Sequence, residues 1–155
     1  MSTFSIKRTS SANPDFHLLI KQLDADLRER YQEQMDQYDE HNIIAPIDTV
    51  VIAYNDTEAV ACGCFKAYDQ QSVEVKRMFV HKNSRGQGLS KKILNELEKW
   101  ALECGTDNIV LETGSRQEEA IGLYLSSGYR EIPKYGPYID LPDSICFKKI
   151  ITDKH

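Results

Sequence analysis

No stretch of the 155-residue chain is apolar over the length that a bilayer crossing needs, and the opening residues MSTFSIKRTS hold no apolar core of a secretory signal. A soluble, cytoplasmic protein is therefore the expectation. Excess positive charge is also missing. Lys and Arg number 19 against 24 Asp and Glu, a formal net charge of −5, which argues against general binding to nucleic acid or to a membrane surface. Cysteines are few, and their spacing is wrong for the common uses. Cys62-Gly63-Cys64 lacks the two-residue gap of a zinc knuckle or thioredoxin-type pair, and no histidine pair accompanies it. No metal is expected, and Cys62, Cys64, Cys104 and Cys146 read as buried free thiols. Internal repeats, low-complexity tracts and dividing linkers are absent too, so residues 1–155 are expected to form one domain with a real core.

What the chain does have is concentrated between residues 73 and 97. Val73, Val75, Phe79 and Val80 are strand formers, Gly86 and Gly88 break the strand, and from Leu89 onward Ile93, Leu97, Trp100, Ala101 and Cys104 recur at helical spacing. A glycine turn feeding a helix N-terminus leaves backbone N–H groups unpaired, and with the positive end of the helix dipole they suit a phosphate or pyrophosphate. Arg85, Lys91 and Lys92 add cations at the mouth of that turn. The dinucleotide fingerprint fails, because its third glycine falls on Lys91. The Walker pattern fails as well, since one residue rather than four separates the glycines. An ordinary strand-to-helix turn would carry the same glycines, so the loop needs support from the rest of the chain.

That support comes from the order of elements. Phe4 and Ile6 alternate with polar residues in a first strand over 3–9. Asn13 caps a helix with Pro14 in its first turn, and Phe16, Leu19, Ile20, Leu23, Leu27 and Tyr31 share one face. Asp24, Asp26, Arg28, Glu29 and Arg30 form its solvated side, and the helix continues weakly through Met35 and Tyr38 toward His41. His17 and His41 read as surface histidines. Strands over 48–54, 59–68 and 73–80, joined by short turns, make an antiparallel meander. Gly105 closes the helix that follows, and a strand over 108–113 implies a parallel crossover. Gly114 to Gln117 starts a helix whose apolar side is Ala120, Ile121, Leu123, Tyr124 and Leu125. Strands over 129–134 and 144–150 finish the chain, with a long loop between them that carries Tyr135 and Tyr138.

Arg85-Gly86-Gln87-Gly88-Leu89-Ser90 resembles the Arg/Gln-x-x-Gly-x-Gly/Ala motif of the GNAT superfamily of acyl-CoA N-acyltransferases, with Ser90 at the usual glycine or alanine. The run from Gln117 to Tyr129 resembles the family's Asn-x-x-Ala-x-x-Leu-Tyr-x-x-x-Gly-Phe segment, with Gln117 for asparagine and Tyr129 for phenylalanine. The resemblance covers nearly the whole chain. It implies an α/β (α+β) fold, a mixed and mostly antiparallel sheet of roughly six to seven strands, splayed between 73–80 and 108–113 and flanked by about four helices.

The function implied is transfer of an acetyl group from acetyl-CoA to a primary amine on a small molecule or peptide, by direct attack on the thioester. The alternative is a non-catalytic CoA-binding regulatory module; a third reading is a nucleotide-binding α/β protein. A homodimer is left open. Pantetheine would lie in the splay as a false strand, with the N–H of Met78 facing the thioester carbonyl and that of Val80 a pantetheine amide. The cofactor-binding set implied is Met78, Phe79, Val80, Arg85, Gly86, Gln87, Gly88, Leu89, Ser90, Lys91, Gln117 and Tyr124. Tyr124 resembles the family tyrosine that protonates the leaving thiolate. Glu74, four residues before Met78, is the candidate general base, on the same strand face as Lys76; a surface ion pair with Lys76 or Arg77 explains it equally well. Asp140 and Asp143 are other candidate bases. The acceptor pocket is expected from residues 24–40, Lys76 and the loop 135–143; Glu112 and Thr113 end their strand near the splay as candidate linings of the acceptor channel, with no residue-level role assigned to either.

Overall fold

β1 (Phe4–Thr9), β2 (Val50–Asn55), β3 (Glu58–Ala67) and β4 (Ser72–Val80) build the meander in the computed structural model, which describes residues 4–30 and 46–152. β5 (Asn108–Gly114), β6 (Arg130–Ile132) and β7 (Ser144–Ile150) complete one seven-stranded sheet in the order β1-β2-β3-β4-β5-β7-β6. Every neighbouring pair is antiparallel except β4 with β5. The described residues hold three α-helices, α1 (Pro14–Arg30), α2 (Leu89–Glu103) and α3 (Glu118–Ser126), against an expectation of about four. The expected continuation through Met35, Tyr38 and His41 lies outside the described residues. No helix among the described residues is long and apolar enough to cross a membrane.

Local chemistry sets the helix ends. Asn13 Oδ1 accepts the N–H of Asp15 at 2.9 Å, so α1 begins on an asparagine cap with proline in its first turn. α2 begins differently: Gly88 is its N-cap, in the left-handed region at φ 76°, and no side chain caps it. Its first internal bond is Lys92 N–H to Gly88 C=O at 3.2 Å, so the earlier N–H groups have no partner within the helix.

Helices cover both faces of the sheet. On one face α1 lays Phe16, Leu19, Ile20 and Leu23 on Val50, Ile52, Cys62, Cys64 and Phe79. On the other, Ile93, Leu94, Leu97 and Ala101 of α2, together with Tyr124 of α3, pack on Val51, Ala61, Val75, Val80 and Leu111. Three expectations are corrected here. Cys104 is exposed while the other three thiols are buried, because it is the C-cap where the chain leaves α2 beyond its last apolar turn. Leu125 is 55% exposed, because the short α3 turns only Tyr124 fully into the core. Asp24 and Asp26 are not simply solvated: they reach Arg77 and Arg85, each at 3.5 Å.

The central irregularity lies in β4. Cys62 pairs with Phe79 and Cys64 with Lys76, so β4 carries one residue more than β3 over this span. The extra residue is Arg77, at φ 61°, a conformation that L side chains avoid. Its environment holds it there. Cys62 Sγ donates to the Arg77 carbonyl at 3.3 Å, and the Arg77 side chain, 7% exposed, reaches Asp24. The bulge reverses side-chain parity. Val73 and Val75 face α2 before it; Met78 and Val80 face α2 after it.

Candidate active site

The parallel pairing of β4 with β5 runs only from Ser72–Asn108 to Val75–Leu111. β4 continues to Val80 and β5 to Gly114, with no pairing between their second halves. The backbone of β4 is therefore unpaired on one side from Lys76 onward. His81 N–H donates to Val60 of β3 at 2.7 Å. Strand alternation then turns the N–H of Val80 the opposite way, toward the gap, and that of Met78 with it.

A cleft of about 430 Å³ follows this gap to the start of α2. Met78, Phe79 and Val80 form one wall, and Arg85, Gly86, Gly88, Leu89, Ser90 and Lys91 form its end. Gln117, at the N-cap of α3, closes the β5 side. Gln87 does not line it, and Lys92 lies instead over the Phe4 ring at 5.9 Å. The first turn of α2 holds no acidic residue to compete for its N–H groups. Arg85 is tied down by its Nε–H to the Val80 carbonyl at 2.9 Å and by Asp26. A chain of phosphates fits an uncapped turn of this kind, because the amides are free and the field is positive.

Behind the cleft lies a second cavity of about 80 Å³, lined by Met78, Lys76, Glu112, Thr113, Gln117 and Tyr124 among others. Tyr124 is 4% exposed and stacks edge-on with Tyr129 at 5.8 Å. Burial pushes its phenol well up, with Glu112 adding to the effect, so it stays protonated. Tyr124 belongs to the face covered by α2 and α3, whereas Glu112 pairs across from Cys146 on the opposite face. Glu112 and Tyr124 thus reach one small cavity from opposite faces of the sheet.

Glu74 does not line either cavity. It is 4% exposed and accepts from Tyr135 Oη at 2.7 Å, with Lys66 at 3.8 Å and Lys76 at 4.0 Å. The shared face with Lys76 expected from parity is present, since the bulge comes one residue later. Lys76 Nζ–H donates to Tyr138 Oη at 3.1 Å, and burial pulls its ammonium down while Glu74 opposes this. Asp140 is exposed, and the Asp143 carbonyl accepts from Ser115 at 2.7 Å; neither residue lines the cleft or the small cavity behind it. Tyr135 and Tyr138 of the loop after β6 lean on each other at 5.4 Å and roof this cluster. Of the expected acceptor segment 24–40, only the part up to residue 30 lies within the described residues. No group of three or more His, Cys, Asp or Glu among the described residues could hold a metal ion.

Glu112 and Thr113, placed by sequence reasoning only as candidate channel linings, both line the small cavity, and Glu112 is the ionisable one. Burial raises its carboxyl to about 7, opposed by the Ser144 hydroxyl, which donates to it at 2.6 Å. The sequence signal was its place at the end of the strand beside the splay; its environment comes from β4, β7 and the tyrosine loop.

Comparison with known proteins agrees with this geometry. The model of the Acetyltransferase (GNAT) family matches residues 16–129. An "IAA acetyltransferase" of Azospirillum brasilense is 30% identical over 152 residues, 96% of this chain and 99% of that protein. A solved Klebsiella pneumoniae protein, assigned provisionally as an acyl-CoA N-acyltransferase, superposes with a TM-score of 0.79 at 28% identity, covering 97% of this chain and 99% of that one. A GNAT family acetyltransferase of Elizabethkingia anophelis, solved with acetyl-CoA bound, shares the fold at a TM-score of 0.67 and 19% identity, over 95% and 97% of the two chains. With the family model spanning the glycine loop, the splay and Tyr124 alike, this chain belongs to the acetyltransferase (GNAT) family.

Proposed function

We propose that this acetyltransferase moves the acetyl group of acetyl-CoA to a primary amine of a small molecule or peptide, by direct attack on the thioester. The observation that carries the reading is the abrupt end of β4–β5 pairing at Val75 and Leu111, beside which lie the cleft at the uncapped start of α2 and the cavity lined by Tyr124, with Met78 and Gln117 lining both. The diphosphate would rest on the N–H groups of Gly88 to Lys91 and the pantetheine on the unpaired edge of β4. The Met78 N–H would meet the thioester oxygen, where one donor is worth about 3 kcal/mol as negative charge builds.

The amine arrives as an ammonium, with an ordinary pKa near 10.4 for a lysine-type group. A carboxylate takes one proton from it. Nitrogen then attacks the carbonyl carbon, the C–N bond forms and the C–S bond breaks. The thiolate takes the Tyr124 proton, which the second proton on nitrogen replaces. Carboxylates on one side of the sheet and a protonated phenol on the other suit this division of labour.

The test is thiol release from acetyl-CoA with a panel of amines, beside calorimetry with coenzyme A. Wild type is expected to bind coenzyme A and release thiol with at least one amine. Gly86 and Gly88 lie at φ 81° and 76°, with nothing within 4 Å of an added Cβ. Valine at both positions would therefore strain the backbone, at about 1–2 kcal/mol each, and place side chains in the cleft that both glycines line, so affinity is expected to fall at least tenfold. Unchanged affinity would remove the cradle from the reading. Binding without release across the panel would point to the non-catalytic CoA-binding module.

A further inference from the structure

We propose that Glu112, rather than Glu74, is the base that takes the proton from the amine, with Ser144 holding one of its carboxylate oxygens. This rests on the acetyl-transfer reading and assigns one of its steps. The argument is one of access. Met78, whose N–H turns into the gap, and Tyr124, the acid, both line the 80 Å³ cavity, and Glu112 is the carboxylate that lines it with them. Glu74 lies outside that cavity, with one oxygen committed to Tyr135 and the other between two lysines. It is placed to set the position of Tyr135 and Lys76 rather than to meet a substrate. Ser144 Oγ–H donates to Glu112 Oε2, which leaves Oε1 for the amine.

The step balances without a further reagent. Glu112 carboxylate and the substrate ammonium become the carboxylic acid and the free amine, and after transfer Glu112 returns its proton to solvent. Burial supports the assignment, because a carboxyl raised to about 7 is a stronger base than an ordinary one and is still half ionised at neutral pH. The groups facing it set that position. Lys76 of β4 favours the charged form and Glu74 of β4 opposes it. Arg77 lines the same cavity, Tyr138 of the loop and Tyr124 of α3 face it as neutral phenols, and Cys146 of β7 is its register neighbour. From α1, Leu23 and Leu27 line the cavity and Asp24 pairs with Arg77 at 3.5 Å.

The experiment is the pH profile of kcat/KM for wild type, Glu112→Gln, Glu112→Asp and Glu74→Gln, using an amine that wild type acetylates. Wild type is expected to rise with pH through about 7, as Glu112 ionises. Glu112→Gln is expected to lose about 10²-fold and to lose that limb, while Glu112→Asp keeps a limb at reduced rate. Glu74→Gln is expected to keep the limb, moved to lower pH, since a negative neighbour of Glu112 is gone.

A second readout needs no turnover. The carboxyl is raised in the fold, so as pH climbs from its ordinary value through about 7 the unfolded chain ionises first and the native state loses stability. The melting temperature of Glu112→Gln relative to wild type should therefore rise between about pH 5 and pH 8. A limb near 7 that survives in Glu112→Gln and disappears in Glu74→Gln overturns the proposal, and so does a flat melting difference. No turnover by wild type with any amine overturns the acetyl-transfer reading itself, and the role of Glu112 with it.

Discussion

Tyr124→Phe is expected to lower kcat for thiol release by about 10²-fold while leaving KM for acetyl-CoA within about threefold. The substitution removes one hydroxyl. The ring keeps its contacts with Tyr129 at 5.8 Å and Phe147 at 6.0 Å, so the fold should persist. The effect falls on kcat because the thiolate forms only as the C–S bond breaks, and an interaction made only there is invisible in ground-state binding. Burial raises the phenol, so Tyr124 is protonated at any working pH and gives no titration of its own near neutrality. Steady-state kinetics at saturating amine, with near-ultraviolet circular dichroism to check folding, measure the change. A kcat within threefold of wild type would mean that the thiolate leaves unprotonated or takes its proton from water.

Gly63→Val is expected to lower the melting temperature by about 5–10 °C and to reduce kcat along with it. A Cβ on Gly63 would stand 2.5 Å from Met78 Sδ, 2.9 Å from Ile93 Cγ2 and 3.0 Å from Leu97 Cδ1. Met78 is flexible enough to turn away, but Ile93 and Leu97 are completely buried on α2. Overpacking of this kind costs about 2–3 kcal/mol, which in a domain of this size is several degrees. Activity follows because Gly63 lies opposite the Arg77 bulge, where β3 and β4 shift register. Pushing Met78 aside would disturb the N–H that is proposed above to meet the thioester. Thermal unfolding with kinetics on the same preparation checks both effects. A shift below about 1 °C would show that α2 lifts off the sheet without penalty.

The strand order and the glycine loop were legible before the fold was known, because both are written in short spans. A β-branched run with turn residues at its ends becomes a strand wherever it packs, and β7 came out over the expected 144–150. Two glycines between a strand and an amphipathic helix require positive φ, and both adopt it. The site was legible in part. Ten of the residues expected to hold the cofactor line the main cleft, and Tyr124 lines the cavity behind it. The carboxylates were not separable by local reasoning: Glu74 and Glu112 each stand on a strand beside the splay. Their difference arises from partners far along the chain, Tyr135 for the one and Ser144 for the other. The exposure of Cys104 and Leu125 was missed because helical periodicity marks a face and does not say how far along the helix its neighbour extends.

Residue order alone therefore determined the succession of strands and helices, the glycine turn ahead of α2 and the place of Tyr124 on α3, since propensity, periodicity and turn chemistry act over a few neighbours. Tertiary structure decided where β4 and β5 part, that Arg77 bulges, and which glutamate faces the cavity. Those outcomes depend on desolvation and register, which exist only once strands more than thirty residues apart lie side by side.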